Sequence, residues 1–124
     1  MTAPSLNGLR VLIVEDNYVL ADALRSLLVR YQGVVTAIAP TIPLAFAALE
    51  ASGADVAVLD VNLGGVTVVP FAEHLRAAGI PFLFVTGYGD DPDLLPAHLR
   101  TSPCLEKPVE AELLVRELAG LARR

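Results

Sequence analysis

Apolar runs with almost no polar alternation constrain the fold of this chain more than any other feature. The clearest are Leu9 to Val14, Val56 to Leu59 and Ile80 to Val85. Such runs are typical of strands covered on both faces, as in the middle of a parallel sheet flanked by helices. A short run from Val34 to Ala39 and a weaker one from Ser102 to Glu106 bring the predicted strands to five.

Apolar residues recur at helical spacing between and after these strands. Helices are predicted from Asn17 to Tyr31, from Thr41 to Ala51, over about ten residues ending at Gly79, and from about Val109 to Ala122. The segment from Pro92 to Arg100 carries two prolines, so a helix there should be short or frayed. This alternation predicts an α/β fold: a doubly wound parallel sheet with helices on both faces, right-handed crossovers and a weak fourth helix.

Polar side chains close the predicted strands at what would be one edge of the sheet. Glu15 and Asp16 follow the first strand, Asp60 the third, Thr86 the fourth and Lys107 the fifth. In the strand order 2-1-3-4-5 the topology reverses between strands one and three, so the three carboxylates should share one crevice. Carboxylates about 5 Å apart at an effective dielectric near 20 repel by roughly 3 kcal/mol per pair. The crevice should therefore hold a proton or recruit a cation.

Asp60 lies at the centre of this arrangement. Taken alone, an acid shortly before Gly64 and Gly65 is typical of a turn. Lys107 supplies a single positive charge to three acids, so a hard divalent ion with oxygen ligands is expected, and Mg²⁺ is the expected ion. A metal, a carboxylate, the Thr86 hydroxyl and an ammonium together make a phosphoryl-transfer site.

Over essentially its whole length, the chain resembles the response-regulator receiver domain of two-component signalling. The matching segments are Val-Glu-Asp-Asn at 14–17, Leu-Asp-Val-Asn-Leu at 59–63, Thr86-Gly87 and Lys107-Pro108. The resemblance implies a flavodoxin-like (βα)5 fold. It also implies that Asp60 accepts a phosphoryl group from a histidine kinase or a phosphotransfer protein and becomes an acyl phosphate.

The resemblance further assigns ligands for the metal. Asp16 and Asp60 would bind Mg²⁺ with their carboxylates, Asn62 with its backbone carbonyl, and Glu15 through water.

The same resemblance assigns the groups that contact the phosphoryl oxygens. Lys107 would pair with Asp60 and then with one phosphoryl oxygen, and Thr86 would donate to another. The family's peptide bond before Pro108 is cis.

Two positions depart from the usual receiver pattern. Cys104 stands where most receivers carry Tyr or Phe, and Leu63-Gly64-Gly65 replaces the usual Met-Pro. Together with the segment from Phe84 to Tyr88, these features resemble the single-domain FAT GUY regulators that work with sensor kinases in alphaproteobacteria. We therefore expect Tyr88 to change its packing when Thr86 moves and to affect partner discrimination.

Composition narrows the partners and the compartment. The net charge is -5 with no block of Lys and Arg, which argues against nucleic acid. No apolar run could span a bilayer, and one cysteine with no charged-then-apolar leader favours the cytoplasm. One receiver domain at 1–124 is expected, with a core from about 8 to 122 and no output domain. Such a chain, as a monomer or a weak homodimer, would signal by altered contacts with a downstream protein or act as a phosphate sink.

Some residues are expected to have no role in this chemistry. His74 and His98 are expected to be solvated, Cys104 to be a small buried hydrophobe, and the acids at 90, 91 and 93 to form a solvated turn.

Two other functions fit parts of the sequence. Asp60-Val61-Asn62 faintly resembles the nucleophile loop of haloacid-dehalogenase-like aspartyl-phosphate hydrolases, although Asn62 stands where their second acid would be. A phosphorylation-independent adaptor is the other. We expect that the chain catalyses only its own phosphorylation and its own slow autodephosphorylation, and that it is not otherwise an enzyme. Asn62 and Tyr88 would influence the rate of autodephosphorylation.

Overall fold

The five predicted runs form the five strands of one parallel sheet in the computed structural model, which describes residues 4–87 and 95–123. The sheet strands are β1 (Arg10–Val14), β2 (Val34–Ala39), β3 (Val56–Asp60), β6 (Phe82–Thr86) and β7 (Cys104–Glu106). A small antiparallel hairpin, β4 (Asn62–Leu63) with β5 (Val66–Thr67), follows β3. The sheet order is β2-β1-β3-β6-β7, which confirms the predicted order of the five runs.

The helices cover both faces of the sheet. They are α1 (Tyr18–Arg30), α2 (Ile42–Ser52), α3 (Val69–Ala78) and α4 (Ala111–Ala122). Alternate residues of β1 enter two apolar layers: Leu12 and Val14 pack in the layer that includes α2 and α3, whereas Val11 and Ile13 pack in the layer that includes α1 and α4. Each central strand is thus buried on both sides, as the runs without alternation predicted.

Local signals in the sequence set the helix ends. The Asn17 side chain caps α1 by accepting a hydrogen bond from the Leu20 N–H at 3.1 Å, and Thr41 caps α2 in the same way. Gly79 ends α3 in the left-handed conformation that glycine adopts most easily. The last helix begins at Ala111, two residues later than predicted, because the Glu110 carboxylate accepts from the Leu113 N–H and serves as its cap.

The residues that α4 buries also differ from the prediction. The helical spacing of its apolar residues predicts that Leu113 lies on the buried face of this helix, but Leu113 is 43% exposed. Val115 is buried instead, together with Leu114, Leu118 and Leu121. The inner face of the helix is therefore rotated by about one residue relative to the prediction.

The predicted weak fourth helix is only partly within the described residues. Its described part is a 3-10 turn, Ala97–Leu99, beside Pro96. The exposed His98 ring lies 2.6 Å from a Glu73 carboxylate oxygen, and Arg76 donates to the His98 carbonyl at 3.2 Å. These contacts fix the turn on α3, while the predicted switch residue Tyr88 and the acids at 90, 91 and 93 lie outside the described residues.

The prediction that Cys104 is buried is wrong, because its side chain is exposed. Cys104 begins β7, which has a partner strand on one side only, and this edge position leaves part of it open to solvent. His74 is exposed, as predicted. Within residues 4–87 and 95–123, no helix combines the length and apolarity needed to cross a membrane.

Candidate functional site

Three carboxylates meet at the carboxyl end of the sheet. Glu15 directly follows β1 and Asp60 is the last residue of β3; they are only 3% and 5% exposed. Asp16, at the start of the loop into α1, is exposed. One oxygen from each of the three lies within 4.8 Å of the other two. Parallel pairing of Val14 with Leu59 brings the strand ends level, and the crevice predicted from the topology is therefore present.

Lys107 lies between the two buried acids. Its ammonium is 2.9 Å from Glu15 Oε1 and 3.3 Å from Asp60 Oδ2. The Lys107 N–H donates to the Thr86 carbonyl at 2.8 Å, which extends the pairing of β6 and β7 by one residue and fixes the lysine at the site. The bond between Lys107 and Pro108 is cis, as the resemblance implied.

Burial makes Asp60 a weak acid. Removal from water, followed by the hydrogen bond and the negative charge of Glu15, raises the pKa of Asp60 to about 7, although Lys107 opposes the rise. Near neutral pH the carboxyl group is thus divided between its protonated and ionised forms. Any group that adds positive charge beside it favours the ionised form.

Glu15 and Lys107 shift in the directions expected for an ion pair. Burial alone would raise the pKa of Glu15, but hydrogen bonds with Asp60 and Lys107 and from the Asn17 N–H lower it overall. Burial would lower the pKa of Lys107, and its two acidic partners raise it instead. Glu15 and Lys107 are therefore the permanently charged pair, and Asp60 is the group whose charge can change.

The hairpin that follows β3 lies against the acids. The Asn62 N–H is 3.4 Å from Asp60 Oδ1, and the Asn62 side-chain oxygen accepts from the Gly65 N–H at 2.8 Å. Gly64 and Gly65 form the turn with φ of 61° and 92°, a conformation that favours glycine. A Cβ added to Gly64 would lie 3.6 Å from Asp16 Oδ2, so the turn faces the exposed acid as well.

Thr86 closes β6 beside the crevice. Asp60 pairs in register with Val85, which places Thr86 one residue beyond it. Burial raises the pKa of the Cys104 thiol on β7, and a hydrogen bond from the Thr86 side chain opposes the rise. Sequence reasoning named both residues, but nothing local to either segment shows that they are partners.

The donor set fits a hard divalent cation. Three carboxylates offer oxygens at the spacing a single ion needs, while Lys107 supplies one compensating charge. Oxygen-only ligands with high negative charge are what Mg²⁺ prefers. The acids Glu15, Asp16 and Asp60, with the backbone of Asn62 next to them, are the residues that would hold it.

An apolar groove of about 210 Å³ runs from this site along α1. It is lined by Glu15, Leu20, Ala23, Leu24, Leu27, Val85, Lys107, Pro108 and Val109. The apolar residues of α1 recur at helical spacing in the sequence, yet Leu20 and Ala23 are exposed. The sequence feature that indicates such a groove is the apolar stripe on α1, which is wider than the surface that the sheet can cover.

Comparison with known proteins gives matches in sequence and in fold. A sequence profile described as the response regulator receiver domain matches residues 11–119. The sensory transduction protein RegX3 of Mycolicibacterium smegmatis is 34% identical over 116 residues, which are 92% of this chain and 50% of RegX3. The chain thus spans about half the length of the curated relatives it matches.

Solved structures with the same fold include proteins of about the same length as this chain. The solution structure of SdrG from Sphingomonas melonis Fr1 matches with a TM-score of 0.79 at 37% identity, over 98% of each chain. The BeF3-activated conformation of SdrG from Pseudomonas melonis Fr1 matches with a TM-score of 0.76 at 35% identity, over 94% of this chain and 99% of that one.

Proposed function

The chain belongs to the response regulator receiver domain family, and on that premise we propose that Asp60 accepts a phosphoryl group from a histidine kinase or a phosphotransfer protein with Mg²⁺ as cofactor. The observation that carries the proposal is the meeting of Glu15, Asp16 and Asp60 within 4.8 Å, with the Lys107 ammonium 3.3 Å from Asp60. Membership of this family favours the phosphoacceptor over the hydrolase alternative.

Asp60 must be ionised to act as the nucleophile. Bound Mg²⁺ would supply positive charge that favours the carboxylate and offsets the charge of the phosphoryl oxygens. An Asp60 oxygen then forms a bond to phosphorus while the bond from phosphorus to the donor imidazole nitrogen breaks, and that nitrogen keeps the electron pair. The product on Asp60 is an acyl phosphate.

Lys107 and Thr86 would stabilise the transferred group. The Lys107 ammonium exchanges Asp60 Oδ2 for a phosphoryl oxygen and keeps its contact with Glu15 at 2.9 Å. The Thr86 hydroxyl gives up the Cys104 thiol and donates to a second phosphoryl oxygen. Charge-assisted hydrogen bonds of this kind are about twice as strong as neutral ones.

The groove along α1 supports a donor histidine carried on a helix. A helix that buries an apolar stripe against Leu20, Leu24 and Leu27 would bring a side chain from its edge to Lys107 and Asp60. Leu24→Lys should slow transfer from a protein donor and leave transfer from acetyl phosphate unchanged. Equal slowing of both reactions would show that the groove is not a docking site for the donor.

The phosphorylated domain would signal by altered contacts with a downstream protein or serve as a phosphate sink. One phosphoryl group per chain and slow autodephosphorylation are expected, rather than turnover of phosphate esters. Binding of the downstream partner that is equal for wild type and Asp60→Ala would instead favour the phosphorylation-independent adaptor.

The decisive experiment is incubation with Mg²⁺ and acetyl phosphate, followed by intact-mass and tandem mass spectrometry. The wild type should gain one phosphoryl group, and the label should map to Asp60. Asp60→Asn, which keeps the side-chain volume, should gain none, and EDTA should prevent labelling of the wild type. A label on another residue, or labelling that EDTA does not affect, would refute the proposal.

A further inference from the structure

The hairpin of β4 and β5 joins the two acids on either side of the cation site. At its base, the Asn62 N–H lies 3.4 Å from Asp60 Oδ1. At its tip, Gly64 faces Asp16: a Cβ added to this glycine would lie 3.6 Å from Asp16 Oδ2. A change in the conformation of this hairpin would therefore alter the surroundings of both carboxylates together.

The backbone of the hairpin, taken alone, stabilises the conformation of the hairpin only weakly. Its ladder has two pairs, Asn62 with Thr67 and Leu63 with Val66, and a ladder this short is marginal in water. Two consecutive glycines form the turn, and glycine loses more conformational freedom on ordering than any other residue. Leu63 is buried, but Val66 is 57% exposed and contributes little packing.

One side-chain hydrogen bond crosses the turn within the described part of the hairpin. The Asn62 side-chain oxygen accepts from the Gly65 N–H at 2.8 Å, which is a good distance for such a bond. The bond ties the first residue of the hairpin to the second glycine. It also directs the Asn62 amide across the turn instead of leaving it free to move over Asp60.

We infer that the Asn62 side chain is a positioning residue for the cation: by fastening the Gly64-Gly65 turn, it holds the hairpin against Asp16 and Asp60. The inference rests on the proposed function, because it concerns the Mg²⁺ that the acids would bind. It differs from the ligand role that the resemblance gives to the Asn62 backbone carbonyl, since it assigns work to the side chain.

The test measures the Mg²⁺ dissociation constant without any phosphodonor, by following the amide signals of Gly64 and Gly65 in a nuclear magnetic resonance titration with MgCl2. Loss of one net hydrogen bond predicts about a fivefold larger dissociation constant for Asn62→Ala than for the wild type. Val66→Ala is the matched control, because it changes an exposed side chain of the same hairpin. Its dissociation constant should equal that of the wild type.

A second readout does not involve the metal. In EDTA, the Gly65 amide should exchange with solvent severalfold faster in Asn62→Ala than in the wild type, whereas Asn62→Asp, which keeps an acceptor oxygen, should retain the protection. Unchanged exchange, or a wild-type dissociation constant in Asn62→Ala, overturns the inference and leaves the proposed function intact. A wild-type protein that binds no Mg²⁺ overturns both.

Discussion

The two sides of the candidate site are built differently. On the β1 and β3 side, the acids lie at the ends of two strands in which every residue except Arg10 is buried. On the β6 and β7 side, the half-buried Thr86 bonds to an exposed Cys104 on a three-residue edge strand. We call the β1 and β3 side the fixed side, because its acids are held in a packed core, and the β6 and β7 side the adjustable side, because its hydroxyl lies at a more exposed edge.

Removing packing from the fixed side should have the largest effect. Leu59 is fully buried next to Asp60, so Leu59→Ala should lower the free energy of unfolding by about 3 kcal/mol, through lost transfer free energy and a cavity. Urea unfolding followed by circular dichroism would measure it. Cys104→Ala on the other side should change stability by less than about 1 kcal/mol. If the two variants lost similar amounts of unfolding free energy, the two sides would not differ in how tightly they are packed.

The charge of the fixed side should appear as a pH dependence. Burial and Glu15 raise the pKa of Asp60 to about 7 in the folded chain, whereas the pKa of an Asp in the unfolded chain is about 4. Between these values the folded state keeps a proton that the unfolded state releases, so stability falls as pH rises. In EDTA, the free energy of unfolding should be roughly 2 kcal/mol lower at pH 7 than at pH 5.

Asp60→Asn is the control for this pH dependence. The variant has no acid to titrate at this position, so its stability should change much less over the same range. The lowered pKa of Glu15 acts only below about pH 4, where the unfolded carboxylate takes up its proton, and so lies outside the window. A slope in Asp60→Asn equal to that of the wild type would assign the effect to another group.

The adjustable side should respond to loss of the Cys104 thiol. Cys104→Ala removes the partner of the Thr86 hydroxyl, and a weak hydrogen bond of about 0.7 kcal/mol predicts an initial rate of phosphorylation by acetyl phosphate about threefold higher. A double-mutant cycle with Thr86→Ala checks the reason, because Cys104 should have no effect once the hydroxyl is absent. A threefold effect that persists in Thr86→Ala would contradict it.

The smallest effect is expected at the contact between the 3-10 turn and α3. His98 and Glu73 are both largely exposed, and pairs of this kind contribute about 0.5 kcal/mol. Glu73→Gln should speed amide exchange in residues 97–101 about twofold and leave the exchange of β3 unchanged. Faster exchange in β3 would mean that the two sides are coupled more tightly than their contacts indicate.

The sequence was sufficient for the fold and for the meeting of the acids, because both depend on patterns that are local in the chain. The run from Val56 to Leu59 identifies a strand buried on both faces, and the parallel topology then brings Glu15, Asp16 and Asp60 to one edge. The expected reaction at that edge, phosphoryl transfer to Asp60, came from similarity to the receiver family. The pattern of burial alone does not identify a reaction.

The contacts that the sequence did not reveal depend on distant parts of the chain. Exposure of Cys104 follows from the position of β7 at the sheet edge, and the groove on α1 follows from how far the sheet extends beneath that helix. The bond from Gly65 to the Asn62 side chain depends on a rotamer. Spacing of residue types carries no information about any of these.

The two distances at Lys107 have one more consequence. Its shorter contact is with Glu15, and its longer contact is with Asp60, the proposed phosphoacceptor. Under the proposed function, the ammonium would leave Asp60 and keep Glu15, so that return to the resting arrangement after dephosphorylation would require only a short rotation. The same side chain would then serve both activation and recovery of the domain.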